Sequence, residues 1–379
     1  MKQVIIFGND HTNSIGLIHS MGIAGYESIG LLFGLNTGFV KSSKFTQLII
    51  TSADAQGCIE KLLMTDLGIN KKLVIIAGCD TAALTLEKNA DRLKDRFLFE
   101  HSTNYSLEYL FKKEYQVLLA SEAGFNVPKT WNLKDSKEIP KDVCFPCLIK
   151  PLVSCEGAKA DIRVCRDMEQ LKKNLNSLKF TKDVLLQQYI ERDYEISILG
   201  CGLSDGTCLI PAVENKLTLY PKYVGLECLA NMQKLTDSDI IRSIKNLVRT
   251  AGYVGLFSVE MMHCKTDGKY YFTEINLRND GAEAFVTKYG ANLPLNHVED
   301  LMNITLTPQE QEHPGYYIWE MHHFLSLLHR EISVMDWLKE IRKSNGFLCY
   351  LKQDPKPFYK QFTNFFLRKL YLRKEHNYK

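Results

Sequence analysis

From Val254 to Gly281 the chain reads VGLFSVEMMHCKTDGKYYFTEINLRNDG, and this stretch constrains the fold more than any other. Two β-type runs, LFSVEMMHC and KYYFTEINL, flank a Thr266-Asp267-Gly268 turn, which is a hairpin signal. Side chains alternate along a strand, so Glu274 and Asn276 share a face. Whether Glu260 joins them depends on register. A three-residue loop with Gly268 in the left-handed position puts Glu260 opposite Glu274. A two-residue Asp-Gly turn slips the pairing by one and sends Glu260 to the other face, barring a bulge. In the first register two carboxylates and an amide oxygen converge. Such hard oxygens suit Mg2+, which takes few protein ligands and completes its octahedron with phosphate oxygens. The plainer reading makes all three solvent-facing strand positions.

At 379 residues the chain is long enough for two or three domains with a sizeable core. A hydrophobic content of 45% with 24% charged residues belongs to an ordinary soluble globular protein. No run approaches the roughly 18 apolar residues of a spanning helix, and MKQVIIFGND reads as a first β-strand rather than a signal peptide. The eleven cysteines are odd in number and without a periodic framework, which argues for a reduced, cytoplasmic compartment. Cys144-Phe-Pro-Cys147 has no second pair or His cluster to complete a zinc or redox site and reads as part of a buried strand. The net charge of +3 resides in the tail: positions 355–379 carry seven Lys/Arg and one Glu, which leaves the remainder three units negative. No nucleic-acid partner is expected.

Taken in order, VIIFG is a strand, SIGLIHSMGIAG has helical spacing, LVIIAG is a second buried strand, and Asp80 to Leu93 is helical with Asp80 or Thr81 as its cap. This alternation points to an α/β layer with a parallel sheet. Gly8 and Gly16 are too far apart for the tight turn of G-x-G-x-x-G, so NAD is not expected. A helical stretch carrying Lys112 and Lys113 follows, and then a strand–loop–strand unit over 143–165 in which Lys150 ends an apolar run. The loop Ser154-Cys155-Glu156-Gly157-Ala158-Lys159 is able to lie over phosphates, although it is not a Walker A loop. LLQQYI and EISILGCG are further strands, and Lys216 and Lys222 both lie in the strand-and-loop segment 209–225. A helix opens near Thr236–Asp239 and returns the chain to the hairpin. Towards the C-terminus, YYIWEMHHFLSLLHREI and FYKQFTNFFLRKLYLRK are amphipathic, and Phe358, Phe362, Phe365 or Phe366 and Leu370 follow helical spacing. Packing of this face onto the rest of the protein is favoured over its lying on an anionic membrane. His322 and His323 are not at i, i+4 spacing, so no zinc is assigned.

The pair SVEMM and FTEINLRNDG resembles the metal-binding strands of the ATP-grasp superfamily, and a strand-ending Lys followed by a small-residue loop occurs there in the same order. The resemblance implies an α/β (α+β) fold: a Rossmann-like domain over 1–104, a small lid subdomain over 105–190, a catalytic subdomain over 191–312 and a basic helical extension over 313–379. It implies that Glu260, Glu274 and Asn276 hold Mg2+, or alternatively Mn2+, on the phosphates of ATP. Lys113, Lys150, Ser154 and Gly157 would contact the nucleotide. Gln187 would face the exocyclic amine where the family often has Glu, the backbone at Tyr189–Ile190 would read the ring, and Glu195 would bind ribose. Lys216 lies in a segment resembling the K-x-x-x-Y-P of D-aspartate-ligase-like proteins and is favoured over Lys222 for a phosphate contact. Arg278 would steady an oxyanion, a reading favoured over an ion pair with Asp280 or Glu283. The implied activity joins a small-molecule carboxylate and an amine of amino-acid type through an acyl phosphate, releasing ADP and phosphate. A homodimer is compatible with it. The alternatives are a non-catalytic ATP-binding module, or a protein acting on membranes or anionic polymers through its tail (355–379).

Overall fold

The protein is described by a computed structural model over residues 2–68, 71–133, 139–151, 163–178, 184–222, 225–309 and 314–376. Its N-terminal part is a five-stranded sheet ordered Thr46–Ser52, Tyr26–Phe33, Lys2–Gly8, Leu73–Ala77, Phe97–Phe99, with every pairing parallel. Parallel strands need helical crossovers and are covered on their faces. Val4, Ile5, Ile6 and Phe7 are accordingly all fully buried, as are most of the residues of the Leu73–Ala77 strand. The helix Thr12–Ile23 starts at His11, whose imidazole accepts from the Asn13 N–H, and Asp54 caps the helix Ala55–Met64 in the same way.

The helix expected over Asp80–Leu93 is divided at Asn89 into Asp80–Lys88 and Ala90–Leu93. Neither Asp80 nor Thr81 caps it. Cys79 occupies the N-cap without a side-chain bond, and the Asp80 carboxylate accepts from Arg278 Nε at 3.0 Å.

A large sheet follows the order Tyr270–Asn276, Tyr253–Cys264, Arg192–Gly202, Cys208–Tyr220, Leu226–Gln233, Gly315–Ile318, Ser344–Phe347. The helix Ser238–Ala251 runs from an Asp237 cap to Gly252, which takes the left-handed conformation (φ 63°) that ends the helix before the Tyr253 strand begins. The segment beginning at Gly315 is not wholly helical as its spacing suggests. Its YYI joins the sheet as an antiparallel neighbour of Leu226–Gln233, and the helix Glu320–Leu328 starts only afterwards. A four-residue apolar run is too short for periodicity to separate strand from helix.

The last helix, Lys356–His376, lays its aromatic face on Glu320–Leu328, with Phe324 meeting Phe362 and Phe365 edge-on at 5.4 and 6.2 Å. The packing reading of this face holds for those residues, while the side chain of Leu370 lies outside the described residues. No helix among the described residues is long and apolar enough to cross a membrane.

By packing, the chain forms two units. The larger comprises 1–124, 195–260 and 274–379, and the smaller comprises 125–194 and 261–273. In the larger unit a core cluster runs from Val4 and Ile15 to Phe285, Tyr289, Tyr317 and Leu348. The smaller has a four-stranded sheet ordered Thr130–Leu133, Val184–Gln188, Cys147–Pro151, Arg163–Cys165. Cys147, Ile149, Leu171, Val184 and Leu186 fill its core. Cys147 is thus a core residue, its thiol pushed up to about 12 by burial, and it is a free cysteine.

Candidate active site

The hairpin closes differently from either register considered above. Cys264 N–H donates to Lys269 O at 2.8 Å and Gly268 N–H to Cys264 O at 3.0 Å, so the loop has four residues, with Gly268 in the left-handed region. Carried on unbroken, that pairing would put Glu260 opposite Thr273 and turn it away from Glu274. It is not unbroken. Asn276 Nδ2 reaches Ser258 Oγ at 3.3 Å, a same-face contact that the turn register forbids by parity. The pairing therefore shifts by one residue between the turn and the Ser258–Asn276 contact. The irregularity returns Glu260 to the side of Glu274, whose charge is among the causes that push the Glu260 carboxyl up.

The agent of this local geometry is Gln116. It is buried on the helix Lys113–Ala123, donates Nε2–H to Ile275 O at 2.8 Å, and accepts from Ile275 N–H at 3.3 Å. It holds by both backbone groups the residue that separates Glu274 from Asn276. One turn earlier on that helix, Lys113 Nζ lies 3.3 Å from Glu274 Oε2. Gln116→Leu would remove the amide's bonds to three backbone groups, the Ile275 N–H and C=O and the Leu110 C=O, at a cost of about 3–5 kcal/mol. Urea denaturation should read that loss, and the affinity for Mg-ATP should fall with it. A variant of full stability and affinity would show that the shifted pairing holds itself.

Around the hairpin the larger unit gathers further carboxylates. Lys216 is only 7% exposed, with Nζ 2.8 Å from Glu227 Oε1 and 3.5 Å from Glu260 Oε2. Burial opposes its charge, but Glu260, Glu227 and Glu214 outweigh that and hold it protonated. Glu195 stands directly across the strand pair from Lys216. Glu214 is fully buried, its carboxyl driven well up by burial, and its Oε1 has no partner. Lys222 lies elsewhere, its backbone N–H donating to Glu331 at 2.9 Å.

Arg278 carries the ion pair that the sequence allows with Asp280 (3.3 Å) and a second with Asp80 (3.0 Å). It also donates to Asn279 O and, through Nη2 at 3.2 Å, to Asn276 Oδ1. Four of the five N–H groups of a guanidinium are thereby engaged. Glu283 is no partner of Arg278 among these contacts. Asp280, half-buried, also accepts from Ser258 Oγ (2.9 Å) and from Ala282 N–H (3.0 Å). Burial works against its charge, and Arg278 more than compensates, holding the carboxyl below its usual range.

Sequence reasoning passed over Glu214, Glu227 and Gln116, and read Asp80 only as a helix cap. Glu214 had a signal, a charge in the otherwise apolar LIPAV strand. Asp80 and Gln116, distant in the chain, had none.

Burial first, then Glu274, Asp280 and Glu227 against the opposing Lys216, push Glu260 up to about 7. A carboxyl raised above its ordinary 4.5 binds its proton more readily in the folded chain. It therefore removes stability as pH rises between those two values, by an amount on the order of 3 kcal/mol. Metal-free protein should lose stability from pH 4.5 to 7, and Glu260→Gln should flatten that slope in thermal melts. An identical slope in the variant would contradict the shift.

Among the described residues no three His, Cys, Asp or Glu side chains converge in metal-ligand geometry. The donor set here is two carboxylates and an amide oxygen. Asn276 Oδ1 keeps a second lone pair beside its bond from Arg278. Hard oxygens amid surplus negative charge fit a divalent cation that takes its other ligands from phosphate.

In the smaller unit Lys150 and Gln187 come together, Lys150 Nζ donating to Gln187 Oε1 at 2.6 Å. Gln187 Nε2 donates to Thr130 Oγ1 at 3.2 Å. The Tyr189 N–H is already donated to Pro146 O at 3.0 Å, and Ile190 is buried. Ser154 and Gly157 lie outside the described residues.

Residues 118–286 match the ATP-grasp domain family. The chain is 25% identical over 177 residues to a D-alanine–D-alanine ligase of Campylobacter lari, covering 44% of this chain and 50% of the relative. It is 23% identical over 267 residues to a D-aspartate ligase of Enterococcus faecium, with 61% and 59% covered. The chain thus spans about half the length of the curated relatives it matches. Among solved structures, an N5-carboxyaminoimidazole synthetase from Staphylococcus aureus superposes with a TM-score of 0.68 at 12% identity, over 88% of this chain and 86% of that one. The matched segment contains the carboxylate hairpin, so residues 118–286 are an ATP-grasp domain, and the likeness to the solved structure is one of fold.

Proposed function

We propose that the protein joins a carboxylate to an amine at the expense of ATP, through an acyl phosphate, with release of ADP and phosphate. The observation that carries this reading is the return of Glu260 to the Glu274 side of the hairpin. There the two carboxylates and Asn276 are flanked by Lys216 and Lys113. The ATP-grasp domain match and the similarity to a D-alanine–D-alanine ligase and a D-aspartate ligase support it.

A carboxylate does not react with an amine in water, because oxide is too poor a leaving group. Phosphorylation supplies a good one. Mg2+, held by Glu260, Glu274 and Asn276, would neutralise charge on the nucleotide phosphates. Lys216 and Lys113 add fixed positive charge beside those carboxylates, and Lys150 is assigned to the nucleotide. Gln187 is assigned to the base edge, which requires exchange of its oxygen from Lys150. With the Tyr189 N–H engaged, reading of the ring is assigned to the Tyr189 carbonyl and the backbone of Ile190. Glu195 is assigned to ribose. Arg278 positions Asn276 and Asp280, and its remaining N–H is the one available to a developing oxyanion.

The test is ADP release with Mg-ATP across a panel of carboxylates and amines, scored with product mass. ATP binding without ADP release under every pairing would make the chain a non-catalytic nucleotide-binding module.

A further inference from the structure

The aromatic face that packs on Glu320–Leu328 is not the only apolar face of the C-terminal helix. Lys356, Tyr359, Thr363, Phe366 and Leu367, at i, i+3, i+7, i+10 and i+11, form a second stripe in which every residue is exposed. Tyr359 is 61%, Phe366 50% and Leu367 57% exposed. A helix apolar on two sides is ordinarily covered on both. Leu35, 81% exposed, adds to this surface, since it lines the same cavity as Leu367 and Arg368. The loop that carries it is tied to the helix, Asn364 Nδ2 donating to Thr37 Oγ1 at 2.9 Å. Four large apolar side chains from two connected elements thus stand in solvent, the pattern of an interaction surface.

The charges around the stripe select the partner. Lys356, Lys360 and Arg368 lie on the helix, and Lys352 precedes it. Lys41 belongs to the turn Val40–Ser42, which packs against the helix. The Lys44 N–H donates to Asp354, two residues before the helix. All of these but the half-buried Lys360 are exposed, and among the described residues none of the six is ion-paired. The neighbouring carboxylates are occupied: Asp354 and Glu320 are buried, and Asp10 accepts from Thr37 N–H and Oγ–H, Phe39 N–H and Val40 N–H. From 355 to 379 the chain carries seven Lys/Arg against one Glu.

Unpaired cations around exposed aromatic and aliphatic side chains fit a partner that is anionic and apolar at once. A bilayer bearing anionic lipid is such a partner, since Tyr, Phe and Leu enter the interface while Lys and Arg stay with the headgroups. A nucleic-acid strand would answer the cations and stack on the two aromatic rings, but it is held in a groove rather than on a convex helix face. It would also leave Leu35 and Leu367 in water.

We propose that the C-terminal helix docks the protein on an anionic membrane surface, with Tyr359, Phe366, Leu367 and Leu35 in the interface and the flanking cations on headgroup phosphates. The protein lies on the bilayer and does not span it. This goes beyond the ligase reading and does not depend on it.

Co-sedimentation of the full chain with vesicles of phosphatidylcholine, alone or with about 30% phosphatidylglycerol, tests it. Binding should be at least about tenfold tighter to the anionic vesicles and should weaken as salt rises. Tyr359→Ser combined with Leu367→Ser should weaken it about tenfold, and Lys352→Gln combined with Lys356→Gln by a similar factor. All four positions are exposed, so the thermal midpoints should stay with wild type. Binding that ignores lipid charge, or that survives the serine pair in a folded variant, overturns the proposal. Single-stranded DNA and light scattering on the same preparations close the alternatives. DNA bound while vesicles are not, or a dimer broken by the serine pair with no vesicle bound, overturns it as well.

Discussion

Glu274→Gln should lower Mg-dependent ATP turnover by about a hundredfold or more while leaving the fold intact. The change keeps shape and removes one unit of charge from a set of only two carboxylates and an amide. The stability side is small. The lost ion pair with Lys113 at 3.3 Å is between side chains 62% and 29% exposed, so it is worth under about 1 kcal/mol. The same substitution relieves repulsion on Glu260, whose carboxyl is raised partly by Glu274. These effects oppose each other, so the thermal midpoint should shift by no more than a few degrees. Steady-state turnover against Mg2+ concentration, with a melt on the same preparation, decides the matter. Undiminished turnover would remove Glu274 from the metal set.

Lys216→Met should behave in the opposite way and destabilise the protein by about 3–5 kcal/mol at pH 8. Lys216 is 7% exposed and sits among Glu214, Glu227 and Glu260, so its removal strands buried carboxylates with no cation to face. The sign with pH follows. Without the lysine these carboxyls titrate higher still in the folded state, so they take up protons as pH falls and the lost stability returns. Urea midpoints at pH 8 and pH 5.5 should therefore converge on wild type at the lower value, and Glu260→Gln in the same chain should restore part of the loss at pH 8. A variant of normal stability at pH 8 would mean that Lys216 faces solvent or phosphate alone.

Local order and the acidic hairpin were legible in the residues, and tertiary packing decided the rest. Runs such as VIIFG and LVIIAG announce buried parallel strands, and Glu274-Ile-Asn276 shares a face by strand geometry alone. The adjacency of Glu260 to Glu274 was not legible. It depends on a one-residue shift in the hairpin pairing, beside a residue held by a glutamine about 160 positions earlier whose amide no local pattern ties to Ile275. Arg278 shows the same limit. Its neighbour Asp280 was visible, but Asp80 reaches it only because the parallel sheet ends beside the hairpin, and with Asp80, Asp280 and Asn276 in place most of the guanidinium is committed to holding the site together. Spacing along a chain determines which side chains share a face. Which faces meet, and how a buried charge is compensated, is set by contacts between segments far apart in sequence, and those only the folded chain contains.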